Sequence, residues 1–162
     1  ELPDLVAAAG PKPLVLILDG VQDPHNLGAC MRTADAVGAC AVVVPKDRAA
    51  SLTPAARKVA SGAAETVPLI RVTNLSRTML LLKELGLTLV GADERGPVMY
   101  HQADLNGPLG LVMGAEGRGL RRLTSERCDV LVQLPMEGIV ESLNVSVALG
   151  VMAFEAVRQR SV

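Results

Sequence analysis

Asn26 and Arg32, with Gly28 between them, are the first residues in this chain whose types and spacing could hold a polar substrate. They follow an aliphatic run, Leu14–Leu18, that breaks into Asp19-Gly20-Val21-Gln22-Asp23-Pro24. Asp23 is expected to cap a helix with Pro24 at its first position. Asn26 then falls in the first turn, and Arg32 lies roughly 9 Å further along the axis. Helical side chains lean back toward the N-terminus, so the guanidinium of Arg32 is expected to turn inward toward Asn26. Gly28 would clear the approach of a ligand to the helix. An arginine beside an amide, at the C-terminal end of a strand, suits a polar substrate better than a core. Taken alone, the segment also fits a surface arginine on an ordinary strand–helix unit.

Two further segments share the design. Leu109–Met113 is aliphatic and ends in Gly114-Ala115-Glu116-Gly117-Arg118-Gly119-Leu120. Val130–Leu134 is aliphatic and leads through Pro135 to Ser142-Leu143-Asn144-Val145-Ser146. Each reads as strand, polar or glycine-rich loop, helix start. In open α/β sheets, ligands bind in the crevice at the carboxyl ends of the strands.

The elements needed to position these loops can be read from periodicity. Strand-like runs are Leu14–Leu18, Ala41–Val44, Val67–Ile70, Leu87–Val90, Leu109–Met113 and Val130–Leu134. Helical stretches are Pro24–Val37, Pro54–Ala63, Leu75–Leu85, Leu120–Arg127 and Leu143–Arg160. The alternation predicts an α/β fold: a mostly parallel six-stranded sheet with helices on both faces. Asp93 to Gly107 is expected to be a polar surface connection. Residues 1–13, with the Ala-Gly-Pro-Lys-Pro stretch ending at Pro13, are expected to be a linker from a preceding domain, and 14–162 a single domain. The last helix has almost no polar face between Leu143 and Phe154, so it should be buried.

Composition narrows the classes. Apolar residues are 49% but aromatics only 1%, Tyr100 and Phe154, so the core must be aliphatic. No apolar run approaches the ~20 residues of a membrane span. Cys30, Cys40 and Cys128 are odd in number and lack ligand-like spacing. They are expected to be reduced thiols of a cytoplasmic protein, with no metal site. The net charge is −1 and the pI about 6.2, without a global nucleic-acid signature. Basic residues cluster locally at Lys46/Arg48, Arg57/Lys58, Arg118/Arg121/Arg122 and Arg158/Arg160, as solvated faces commonly do. There is no aromatic platform for stacking splayed bases.

The three segments, as D-G-V-x-D-P-H-N-L-G-A-C-x-R, M-G-A-E-G and S-L-N-V-S-V-A, resemble motifs 1, 2 and 3 of the SpoU (TrmH) family of RNA ribose 2′-O-methyltransferases, in the SPOUT superfamily. The resemblance covers residues ~14 to 160. It implies S-adenosyl-L-methionine as cofactor and, from the stretches at 44–48 and 63–75, a guanosine of 23S ribosomal RNA as target. Transfer RNA is the alternative substrate for the same chemistry. By resemblance, Arg32, Asn26, Glu116, Ser142 and Asn144 form the catalytic set, and the backbone of Gly114, Leu134 and Leu143 contacts the cofactor, with Gly91-Ala92 a further wall. Arg32 is expected to act as a fork on the substrate phosphate, because a guanidinium with a pKa above ~12 is a strained general base. Ser142 is equally readable as the cap of the last helix. The family also implies a C-terminal deep trefoil knot, which pattern rules alone would reject, and a homodimer through the last helix.

Two other function classes stay open on the residues themselves. Gly114-x-x-Gly117-x-Gly119 has the look of a nucleotide loop of an NAD-dependent oxidoreductase, but in reversed order and with Glu116 where a pyrophosphate would lie. A non-catalytic RNA-binding scaffold is the third class, and it would have no need of the polar set.

Overall fold

The computed structural model describes residues 1–62, 66–115, 119–140 and 143–161. Its centre is a seven-stranded, wholly parallel sheet: β1 Leu14–Asp19, β2 Ala41–Pro45, β3 Leu69–Val72, β4 Thr88–Ala92, β5 Val98–Met99, β6 Leu109–Gly114 and β7 Val130–Gln133. The strand order is β3-β2-β1-β6-β4-β7-β5. The described helices are α1 Leu2–Ala8, α2 Pro24–Val37, α3 Pro54–Ala60, α4 Leu75–Glu84, α5 Arg122–Arg127 and α6 Val145–Arg160.

Side chains alternate across the pleat, so each strand feeds two cores. Leu14, Leu16, Leu18, Val42, Val44, Leu109, Leu111 and Met113 meet α2 and α6 on one face. Val15, Ile17, Val43, Leu89 and Val112 meet α1 and α4 on the other. Both cores are aliphatic, as the scarcity of aromatics requires; Tyr100 packs only at the margin of the first.

The structure departs from the sequence reading in several places. The sheet has a seventh strand, β5, inside the stretch expected to be surface connection. That stretch is also partly interior: Asp93, Ala103 and Leu105 are buried. A strand of two residues is too short to leave a periodic signal. β3 begins at Leu69, two residues later than expected. Pro68 has no N–H to give a neighbouring strand, although its carbonyl accepts from Val42 N–H. The N-terminal stretch carries a helix, α1, whose Leu2 and Val6 are buried in the second core.

The last helix is buried along one stripe only. Val145, Leu149, Met152, Ala153 and Ala156 face the core, while Val147, Val151 and Phe154 are solvent-exposed at 51%, 37% and 52%. The C-terminal turn is tied down. Gln159 accepts from Leu105 N–H and donates to the Ala103 carbonyl, and Arg160 donates to the carbonyls of Gly107 and Lys12. Two arginines expected on a solvated face are therefore engaged, since Arg158 also pairs with Glu155.

Candidate active site

All strands are parallel, so the three polar loops share one edge of the sheet. β1 and β6 are neighbours, with Asp19 in register with Gly114, and β7 lies one strand beyond, across β4. Their carboxyl ends form the crevice.

Asp23 caps α2, accepting from His25 N–H at 2.8 Å, and Pro24 occupies the first turn. Leu27, Cys30, Met31 and Ala34 then face the core at helical spacing, which leaves Asn26 at the open end. The cap of α6 is Asn144, whose Oδ1 accepts from Ser146 N–H at 2.9 Å. An amide at that position can do two things at once, and it does: Asn144 Nδ2 donates to Asn26 Oδ1 at 3.1 Å, joining residues 118 apart in sequence. Motifs 1 and 3 thus meet where the N-termini of two packed helices converge. Glu116 and Ser142, expected in the catalytic set, lie outside the described residues.

Arg32 is not inward-facing. It is exposed and makes no hydrogen bond or ion pair among the described residues. Six residues along an α-helix is about 240° of rotation, so Arg32 and Asn26 look in different directions. Gly28 also has a different role from the one expected. A Cβ there would come 2.3 Å from the Ala56 carbonyl oxygen, so the glycine admits the backbone of α3, not a ligand. Arg32, one turn on, stands beside that helix contact.

Gly114 is half-buried at the end of β6. A Cβ on it would sit 2.2 Å from the Gly119 carbonyl oxygen, because the loop folds back into an Ala115–Gly119 bridge. The close approach is made by the loop itself. α5 starts only at Arg122, and Arg121 before it supplies no side-chain cap, so Gly114 and Gly119 do not open a helix N-terminus as a pyrophosphate cradle would. Leu134 and Leu143 are both half-buried, Leu134 against the first core. Gly91 is crowded by the protein itself: a Cβ would meet Cys128 Sγ at 2.7 Å and Leu120 Cδ1 at 2.8 Å.

Three residues of this edge escaped the sequence reading. Asp19, buried at the end of β1, accepts from Thr124 Oγ1 at 2.6 Å and Arg121 Nε at 2.9 Å, pinning the loop after β6 to β1. Asp93, after β4, holds Arg95 through both carboxylate oxygens, and hydrogen bonding to that guanidinium keeps its carboxyl below the usual range. Arg48 lines a cleft of about 330 Å³ together with Gly20, Gln22, Asn26, Ala115 and Val145. A buried carboxylate at a strand end is a signal that sequence could have supplied; Arg48 was legible only as half of the Lys46/Arg48 basic pair, not as part of a cleft. A second cleft, of about 560 Å³, lies between Asp93, Arg95, Gly119, Leu120 and Ser125.

Burial pushes the thiols of Cys30 and Cys128 up to about 12, and that of Cys40 also upward. None is built as a nucleophile. Among the described residues no cluster of three His, Cys, Asp or Glu could hold a metal ion, and no helix is long and apolar enough to cross a membrane.

Comparison with known proteins places this geometry. Residues 13–154 match the model of the SpoU rRNA Methylase family. The chain is 61% identical, over 99% of its length, to the 23S rRNA (guanosine-2′-O-)-methyltransferase RlmB of Pseudomonas putida. It spans 65% of that relative's length. Among solved structures, the SpoU methyltransferase AviRb from Streptomyces viridochromogenes, in complex with the cofactor AdoMet, superposes with a TM-score of 0.85 at 32% identity, covering 93% of this chain and 59% of that one. The A. aeolicus TrmH/SpoU tRNA modifying enzyme gives 0.84 at 29% identity, covering 99% and 83%. With its three loaded strand ends on one sheet edge and a family match across nearly its whole length, the chain belongs to the SpoU rRNA methylase family.

Proposed function

We propose that this chain transfers a methyl group from S-adenosyl-L-methionine to the ribose 2′-hydroxyl of a guanosine in 23S ribosomal RNA. The observation that carries the reading is the Asn26–Asn144 junction at the carboxyl edge of the sheet, in a chain 61% identical to an enzyme named for that reaction. The relative with bound AdoMet supports the cofactor.

The residues fit such a group. Gly114, Leu134 and Leu143 offer half-buried apolar surface beside backbone donors and acceptors, the mixture that an adenosine and a methionine chain require. When bound, S-adenosylmethionine supplies an electrophilic methyl on a sulfonium. Arg32 holds a substrate phosphate and stabilises the 2′-oxygen as its proton passes to water. Asn26 and Asn144 hold the substrate-facing loops in register. Glu116 completes the set by steadying the loop or Arg32, with Ser142 as its remaining polar member.

Two structural proposals accompany this one. The return of the chain from β7 to pack α6 on α2, with the last turn of α6 hydrogen-bonded to Ala103, Leu105 and Gly107, supports the family's deep trefoil knot. The exposed stripe Val147, Val151, Phe154, at i, i+4 and i+7 of α6, supports a homodimer through that helix. An enzyme of ribosomal RNA would work in the cytoplasm.

The test is incubation with methyl-labelled S-adenosylmethionine and total bacterial RNA, followed by mapping of the label. The expected product is a 2′-O-methylguanosine in 23S ribosomal RNA. Label confined to transfer RNA would overturn the choice of substrate, and no label in any RNA would overturn the activity.

A further inference from the structure

Arg48, like Arg32, is a cation of this edge without a salt bridge among the described residues. Arg95, Arg121, Arg122 and Arg158 each pair with a carboxylate. Arg48 makes no ion pair among the described residues, and its Nε is shielded from solvent without a hydrogen-bond partner. Buried N–H groups are seldom left without an acceptor from protein, water or a bound group.

Its placement is not accidental. The loop that follows β2 is clamped on two sides: Ala50 N–H donates to the Val21 carbonyl at 3.0 Å, and Arg71 Nη2 to the Ala50 carbonyl at 2.8 Å. Those bonds hold Arg48 over the cleft it shares with Asn26 and Val145. Asp23 also lines that cleft, but its Oδ1 is turned to the His25 N–H. A planar fork of donors beside a site for a ribose matches the non-bridging oxygens of a phosphodiester. Exposed Arg32, Lys46, Arg57 and Lys58, from the same helices and loop, continue the positive character outward.

We propose that Arg48 binds a backbone phosphate of the substrate RNA in this cleft and thereby seats the target ribose against Asn26. The assignment rests on the methyltransferase reading above, and it gives the site a second phosphate anchor besides Arg32. A carboxylate such as that of the cofactor's methionine is the other anion an arginine fork could take, and the experiment separates the two.

Arg48→Ala and wild type are compared for binding of a labelled single-stranded RNA oligonucleotide over a salt series, for S-adenosylhomocysteine binding by calorimetry, and for KM and kcat on 23S ribosomal RNA. The variant should bind RNA about tenfold more weakly, with a salt slope shallower by about 0.7, the loss of one phosphate contact. KM for RNA should rise, S-adenosylhomocysteine affinity should stay within twofold, and Arg48→Lys should recover part of the loss. Unchanged RNA affinity and slope would overturn the proposal while wild-type activity left the methyltransferase reading standing. A loss confined to S-adenosylhomocysteine binding would also overturn it, assigning Arg48 to the cofactor. Wild type that binds no S-adenosylhomocysteine and methylates no RNA would sink both. If the alanine variant does not fold, Arg48→Gln repeats the comparison with closer volume.

Discussion

Asp19 and Arg121 are 102 residues apart and hold two walls of the site together: Nε donates to Oδ2 at 2.9 Å, and Nη2 lies 2.7 Å from Oδ1. Asp19 is 1% exposed, whereas the Arg121 side chain reaches solvent. The carboxylate is thus the immobile partner, and the arginine brings the loop after β6 to it. Arg121→Ala would leave Asp19 with only Thr124 as a side-chain donor among the described residues. The expected cost is about 1–3 kcal/mol, the penalty for an under-satisfied buried acceptor. Urea unfolding measures it. Weaker S-adenosylhomocysteine binding should accompany the loss, since the same loop begins at Gly114.

Arg32→Ala should reduce methyl transfer by at least 10²-fold, typical for removal of one preorganised donor. S-adenosylhomocysteine affinity should stay within a few-fold, because Arg32 is exposed on α2, away from Gly114, Leu134 and Leu143. Single-turnover assays with the variant check this. Near-normal rates would remove Arg32 from the chemistry.

Light scattering at micromolar concentration should find a homodimer, and Phe154→Asp or Val151→Asp should shift it to monomer. Both side chains are exposed on one protomer, so their replacement spares the fold. Met152 is no probe of the interface, since it is fully buried within the protomer. A monomeric wild type would refute the dimer.

Glu155 carries a pH dependence whose sign is set by its partners. Hydrogen bonds from Arg158 and then Gln159 hold its carboxyl at about 2, below its ordinary 4.5. A depressed carboxyl stabilises the fold above its unfolded pKa and loses that contribution as pH falls toward the folded value. The melting-temperature gap between wild type and Glu155→Gln should therefore be full at pH 6 and close between about pH 4.5 and 2. A gap that persists at pH 2 would mean the difference is not electrostatic.

Gly28→Ala should destabilise the protein by about 1–3 kcal/mol, the range for overpacking a tight contact. The obstacle is the backbone of Ala56, which cannot rotate away as a side chain could. Chemical denaturation with an unchanged m-value is the expected result. A neutral substitution would show that α3 can shift.

Local chemistry made much of the fold legible. The cap at Asp23, Pro24 behind it and the spacing of Leu27, Cys30, Met31 and Ala34 require α2 wherever the chain folds. Aliphatic runs alternating with amphipathic stretches required a parallel sheet, and hence one shared carboxyl edge for the three motifs. The two-residue β5 and the buried Leu105 were illegible, because so short a pairing depends on β7 being there to accept it.

Within the site, residue types and motif order came from the chain itself; partners and directions did not. Asn26 was legible as a candidate from its place after a strand, but its bond to Asn144 needed α2 and α6 to pack. Arg32 pointed inward on local geometry and outward in the fold, since a side chain's exposure depends on which helix face a neighbour covers. Gly28 and Gly114 were identifiable as glycines that something approaches closely, yet only the tertiary structure decided that Ala56 and Gly119 are what approaches. Asp19 and Arg121 have no meaning within a few residues of their own positions. Each is defined by contacts across the sheet edge, and such contacts exist only once strands distant in sequence lie side by side.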